Sequence, residues 1–242
     1  MLTRYPWLTF LLPFVVFMAV GSLEPKRPAS GEAAAGWIGY ESYPIVYAVK
    51  IGLTLAAMLV VLPGYRRFPF RLSPLALLVG AAGIVLWVGF CQLHWEEKIF
   101  APLGAKWLVD LGVRSGYDPF KELRHCAAGW QWAFLGLRVF GLVAVVPVIE
   151  EFFLRGFLMR WPIAERWWEV PVGTLTGMAL LLGTLYPVLS HPAEMFAAVA
   201  WFTLVTLLAW KTKNIWDCVA AHAVTNLLLG VYVVSSGEWR LL

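Results

Sequence analysis

Apolar stretches of the length a helix needs to cross hydrocarbon recur along this chain, at about residues 6–23, 44–62, 73–93, 139–160, 172–190, 193–210 and 215–234. A helix rises about 1.5 Å per residue, so roughly 20 apolar residues cover a bilayer core. A shorter stretch from Phe120 to Arg138, rich in Trp and Gly, crosses, re-enters or lies at the interface. The predicted fold is therefore all-α, a polytopic transmembrane helix bundle with seven or eight spans.

Composition agrees. Of 242 residues, 60% are hydrophobic and 14% charged, against about a quarter charged in a soluble domain. The mean hydropathy is +0.72. Fourteen Trp, eight Tyr and fifteen Phe suit many helix ends at headgroup level. No Lys/Arg tract exceeds a pair and none interleaves with aromatic residues, which leaves nucleic acid out as a partner. The basic excess reads as topology. With seven spans and the amino terminus inside, Arg66, Arg67, Arg71, Arg160, Arg166, Lys211 and Lys213 all share the cytoplasmic side; a crossing at 120–138 would invert part of that arrangement. The first apolar run, interrupted by Pro13 and flanked by Pro6 and Trp7, reads as a retained span and not a cleaved signal peptide. Cys91, Cys126 and Cys218 show no Cys-x-x-Cys spacing and read as packing residues. The expected setting is the lipid bilayer of a bacterial inner membrane; the sequence does not speak to oligomeric state.

The polar connections are 23–43, with Glu24, Lys26, Arg27, Glu32 and Glu41, and 94–121, with Glu96, Glu97, Asp110, Arg114 and Asp118. The second is too short for a core of its own, and Glu96-Glu97-Lys98 and Lys121-Glu122 through Arg124-His125 read as solvated loop or interface charge. Gly173 and Gly177 form Gly-x-x-x-Gly, expected to bring two helices close. Asp217 reads as a charge on its helix's positive end that could also tune His222.

Against this apolar background, Glu150-Glu151-Phe-Phe-Leu-Arg155 stands halfway along a span. Ionisable groups at that depth are costly and tend to face a wet cavity or a partner. Glu151 and Arg155, four apart with the acid first, are predicted to pair on one helical face, leaving Glu150 on a neighbouring one. His191 ends one apolar stretch just before Pro192. His222 and Asn226 share a face of the last span.

Together these residues can build a hydrolase without a covalent nucleophile. Glu150 takes a proton from water while His191 orients or helps deprotonate it. His222 and Asn226 face the oxygen that turns negative in the tetrahedral intermediate. A zinc alternative uses Glu150, His191 and His222 as a shell with water in the open position, although no His-Glu-x-x-His is present. Proton-coupled transport and a non-catalytic scaffold use the same groups as a relay or as interhelical bonds. Glu150 lies about 16 Å from either end of its span, whereas His191 stands at a helix end. The two meet only if the helix before Pro192 is broken or buried, and Pro187 makes a break there plausible.

The three clusters, in this order on successive apolar helices, resemble the CPBP family of intramembrane proteases, which includes the CAAX prenyl proteases and bacteriocin-processing enzymes. Glu150-Glu151-Phe152-Phe153-Leu154-Arg155 resembles its Glu-Glu-x-x-x-Arg motif, and His222-Ala223-Val224-Thr225-Asn226 its His-x-x-x-Asn. Pro187-Val188-Leu189-Ser190-His191 corresponds to its Phe-x-x-x-His, with Pro187 in place of Phe and Tyr186 one position earlier. The resemblance implies an intramembrane endopeptidase with Glu150 activating water, His191 as its partner, His222 and Asn226 as the oxyanion hole, and Glu151 and Arg155 in support. It implies a membrane-protein or lipidated-peptide substrate. The sequence is also similar to CAAX-protease-related proteins of bacterial exosortase systems, which would make the substrate a sorted envelope protein. The chain then divides into membrane helices and a long polar loop over 1–129, a protease core over 130–234 and a tail over 235–242.

Overall fold

The computed structural model describes residues 4–27, 38–110 and 116–242; Glu32 and Arg114 of the polar connections lie outside the described residues. Among the described residues the regular structure is entirely helical. The helices are α1 (Leu8–Gly21), α2 (Tyr43–Tyr65), α3 (Pro74–Leu93), α4 (Trp95–Phe100), α5 (Lys106–Asp110), α6 (Pro119–Glu122), α7 (Ala128–Phe140), α8 (Val146–Phe153), α9 (Gly177–Ser190), α10 (Met195–Thr212) and α11 (Ile215–Ser236).

Five helical segments are long and apolar enough to cross a membrane: Tyr40–Tyr65, Pro74–Phe100, Ala128–Leu158, Pro192–Thr212 and Ile215–Ser236. The chain is thus an integral membrane protein. Helices α1 and α9 are apolar but only 14 residues each. The separate helix expected at 120–138 is not a separate element. Its second half, α7, runs without a break into the next span, making the 31-residue Ala128–Leu158 helix. The break falls earlier, in the turn between Glu122 and Ala128, and from Ala128 onward no residue leaves the helical conformation before Leu158.

Local chemistry sets the other boundaries. Ser73 caps α3, its hydroxyl accepting from Ala76 N at 3.4 Å, with Pro74 at the first helical position, where its missing N–H costs nothing. Asn214 caps α11 through Trp216 N, and the helix stops at Gly237 with φ 76°, a left-handed conformation glycine adopts without strain. Asp217 does not cap its own helix. Its carboxylate accepts from Ser73 N at 2.8 Å and Ser73 Oγ at 3.0 Å, tying the start of α11 to the start of α3.

Within Ala128–Leu158 the helix passes through π-helical turns at Gly141–Val145 and Leu154–Leu158. Pro147 contributes no N–H to the ladder, which frees a carbonyl in the turn before it. The two wide turns flank Val146–Phe153, the segment that carries Glu150 and Glu151.

Helices α3 and α11 pack closely because Gly80 and Gly83 face α11. A Cβ at Gly80 would sit 2.7 Å from the Ala221 carbonyl oxygen, and one at Gly83 would collide with Trp201 and the Thr225 hydroxyl. The expected Gly-x-x-x-Gly contact is not of this kind: Gly173 lies in a turn with φ 76° against the Ala209 carbonyl, and Gly177 has open space at its Cβ. Glu96 is buried rather than solvated, accepting from Phe196 N at 3.0 Å. The basic residues of the chain segments that follow α2, α8 and α10 gather at one end of the bundle, where Asn214 bonds Arg71 O and Lys213 bonds Gly173 O.

Candidate active site

Helices α8, α9 and α11 deliver Glu150, His191, His222 and Asn226 to one cavity of about 200 Å³. Its walls also include Leu142, Val146, Trp87, Trp201 and Phe202. The sequence-derived candidates therefore meet, although they are spread over 77 positions of chain.

The support beneath them is a buried ion pair. Arg155 Nη1 donates to both carboxylate oxygens of Glu151, at 2.9 and 2.8 Å, and Nη2 donates to Phe202 O at 2.9 Å. Glu151 is fully buried and Arg155 almost so. The i,i+4 spacing predicted that pair. It did not predict the second duty of Glu151, whose Oε1 stands 3.0 Å from Nδ1 of His222. An Nδ1–H donated there fixes the imidazole's orientation and leaves Nε2 facing Glu150, with Nε2 to Oε2 at 3.9 Å. That separation is beyond a direct hydrogen bond.

Two further contacts hold the His222 ring. Trp201 meets it edge to face at 4.7 Å between centroids, and the Trp201 indole donates to Thr225 Oγ1 at 3.1 Å. Thr225 sits within 3.0 Å of Ala221 O and 2.9 Å of Gly80 O, so the α3–α11 contact reaches the site through one hydroxyl and one indole. Asn226 Nδ2 donates to Leu142 O at 2.8 Å. Leu142 lies in the first π-helical turn, where the ladder is open. An amide nitrogen carries two hydrogens, so this bond aims the Asn226 side chain and keeps a second N–H for another acceptor.

His191 follows the last residue of α9, as the sequence indicated, and α9 is short, so that end reaches the cavity wall rather than the far side of the bundle. Its Nδ1 lies 3.1 Å from Pro187 O and 2.9 Å from Ser190 Oγ. With a proton on Nδ1 donated to Pro187 O, Nε2 is an acceptor. Trp87 packs on the ring at 5.3 Å and Phe202 at 5.9 Å. Trp87 and Phe17 belong to α3 and α1, so the cavity draws on the amino-terminal helices as well as on residues 130–234.

A zinc shell would need three ligands at about 2.0–2.2 Å from one ion. Among the described residues no three His, Cys, Asp or Glu side chains are grouped in that way. His222 Nδ1 bonds Glu151 and its Nε2 faces Glu150, the arrangement in which a histidine presents one ring nitrogen and is oriented through the other.

Residues 130–228 match the family model described as Rce1-like, type II CAAX prenyl endopeptidase. Over that segment the chain is similar to this CAAX protease family. It is a membrane peptide hydrolase, and the transporter and scaffold readings give way. Glu150, His191, His222, Thr225 and Asn226, which line the cavity, all fall inside the matched segment. No curated protein and no solved structure matches the chain. What the CAAX protease motifs did not mark are Trp201, Thr225, Leu142 and Gly83. Only Gly80-Ala-Ala-Gly83, a run of small residues on a span, signals a close helix contact in the sequence.

Proposed function

We propose that Glu150 activates water to hydrolyse a peptide bond in a membrane-associated substrate, without a metal. Glu150 takes one proton from a water while His191 Nε2 accepts a hydrogen bond from it. The water oxygen attacks the scissile carbonyl carbon, and the carbonyl oxygen becomes an oxyanion. Asn226 N–H donates to that oxyanion, and so does His222 Nε2 when the ring is an imidazolium countered by Glu151. Collapse breaks the C–N bond, the proton held by Glu150 passes to the departing amine, and a carboxylate and an amine result. Electrostatic stabilisation by fixed donors in a dry site is the largest contribution in such a reaction, and burial of Glu151 and Arg155 supplies the fixity.

The observation that supports this reading is the convergence of Glu150, His191, His222 and Asn226 on one cavity, with His222 pinned by a carboxylate that is itself neutralised by Arg155. Similarity to the CAAX prenyl endopeptidases points to a lipidated, CAAX-type peptide as substrate, presented within a bacterial inner membrane. Glu150→Gln keeps the volume of the side chain and removes the base. Purified protein carrying it should show no cleavage of a farnesylated CAAX peptide while melting at the parental temperature; retained turnover would refute the assignment.

A further inference from the structure

The longer polar connection carries apolar side chains on its outside. Trp95, Ile99, Leu103 and Trp107 stand four positions apart and are all exposed, Leu103 by 72%. They lie in α4, in α5 and in the turn between them, beside the exposed charged groups Glu97, Lys98, Lys106 and Asp110. Several large apolar groups left outside one short segment mark a surface that something covers. Apolar and charged groups sharing short helices suit the headgroup layer of a bilayer.

The place of the segment beside a span identifies the cover. Helix α3 has 20 residues, about 30 Å of axis, which is the thickness of a hydrocarbon core. Leu77, Leu78, Val85 and Leu93 form its outward, lipid-facing side. Trp95 and Ile99 continue that side directly, just where the length of α3 has used up the core. His94 turns the chain at this point with φ 50°, a left-handed conformation in which histidine is enriched over most residues. Gly104 turns it again with φ 70°; Ala105 N donates to Phe100 O at 2.9 Å, and α5 folds back against α4. Tryptophans stand at both ends of the row, and their rings settle at headgroup depth.

The same segment grips the turn that carries His191. Glu96 accepts from Phe196 N at 3.0 Å, and Trp95 meets the Phe196 ring edge to face at 5.6 Å. Helix α5 packs on Pro192–Glu194, the residues that follow His191. The depth of α4 and α5 in a bilayer therefore fixes the depth of His191.

We propose that residues 95–110 are seated in the headgroup layer of the leaflet nearest His191, with Ile99, Leu103 and Trp107 among the lipids, and that this seat sets the depth at which the cavity meets a membrane-held peptide. The seat stands on the surface alone. Its consequence for the substrate rests on the reading that the cavity hydrolyses peptides.

Spin labels test the seat without turnover, on the full chain in lipid nanodiscs holding one copy each. Cys91→Ser with Cys126→Ser removes the two accessible thiols, since Cys218 is buried. A nitroxide at Leu103→Cys should be relaxed more by oxygen, which partitions into lipid, than by a water-soluble nickel chelate, and one at Lys98→Cys should show the reverse. Equal relaxation by the chelate at the two positions would overturn the proposal, because the row would then face water. Leu103→Glu places a charge in the seat at a side chain outside the packed core. It should raise the KM for a farnesylated CAAX peptide about tenfold in nanodiscs and leave it parental in detergent micelles, where no leaflet fixes the depth; kcat should hold in both. Leu103→Ile should match the parent. A KM unchanged in nanodiscs, or raised equally in micelles, would overturn the depth-setting role. Cleavage surviving in Glu150→Gln would strike the catalytic reading and leave the spin-label result standing, so the two failures are distinguishable.

Discussion

His222 sits between two adjacent glutamates, its Nδ1 3.0 Å from Oε1 of Glu151 and its Nε2 3.9 Å from Oε2 of Glu150. Neighbours in sequence point to opposite nitrogens of one ring because residues one apart on a helix are separated by about 100°. One glutamate, wholly buried and paired with Arg155, can only orient the ring. The other, with 19% of its side chain exposed, is open to the cavity. The different roles proposed for Glu150 and Glu151 rest on this difference in burial.

Glu151→Gln should destabilise the fold by about 3–5 kcal/mol, because it strands the Arg155 charge in an apolar interior. Replacing both members, Glu151→Leu with Arg155→Met, should recover most of that stability, since a buried pair contributes little net over apolar packing. Activity should not return, as His222 has lost its orienting acceptor. Unfolding in mixed micelles measures the first quantity and peptide cleavage the second; activity in the double variant would contradict this role for Glu151.

Asn226→Ala should lower kcat by about 10²–10³-fold with KM little changed, the signature of a donor used only in the transition state. It also leaves Leu142 O without its amide partner. If KM rises while kcat holds, Asn226 binds substrate instead.

Gly83→Ala should cost about 1–3 kcal/mol from overpacking and reduce cleavage as well. The added methyl meets Trp201 and Thr225, the pair that steadies His222. A neighbouring control is Gly89→Ala, which meets nothing within 4 Å and should leave both properties at parental values.

Chelation should leave the enzyme active. Dialysis against 1,10-phenanthroline, followed by elemental analysis, is expected to give metal-depleted protein that still cleaves peptide. Loss of activity restored by zinc alone would favour Glu150, His191 and His222 as ligands.

Much of the site was legible as anomaly. Glu150, Glu151 and Arg155 stand out because charge within an apolar run has few explanations in a membrane, and the i,i+4 pairing of Glu151 with Arg155 depends only on helical geometry. His222 and Asn226 share a face for the same reason. The predicted helix at 120–138 was misdivided because continuity between two apolar helices leaves no mark when neither a cap nor a glycine stop intervenes. Asp217 does stand in the first turn of α11, but its bonds to Ser73, like the burial of Glu96 against Phe196, left no mark in one dimension, where a carboxylate serving a different helix looks like any terminal charge.

Sequence by itself determined that the chain is a helical membrane protein with ionisable and amide side chains set into its apolar spans, since hydropathy and helical spacing act within single elements. Tertiary structure alone decided which nitrogen of His222 meets which glutamate, that Gly80 and Gly83 let α3 steady the site through Trp201, and that Arg138 ends up beside Leu242. Those contacts join residues up to about 150 positions apart, and no local periodicity carries information across that distance; only the packing of whole helices brings such groups within bonding range.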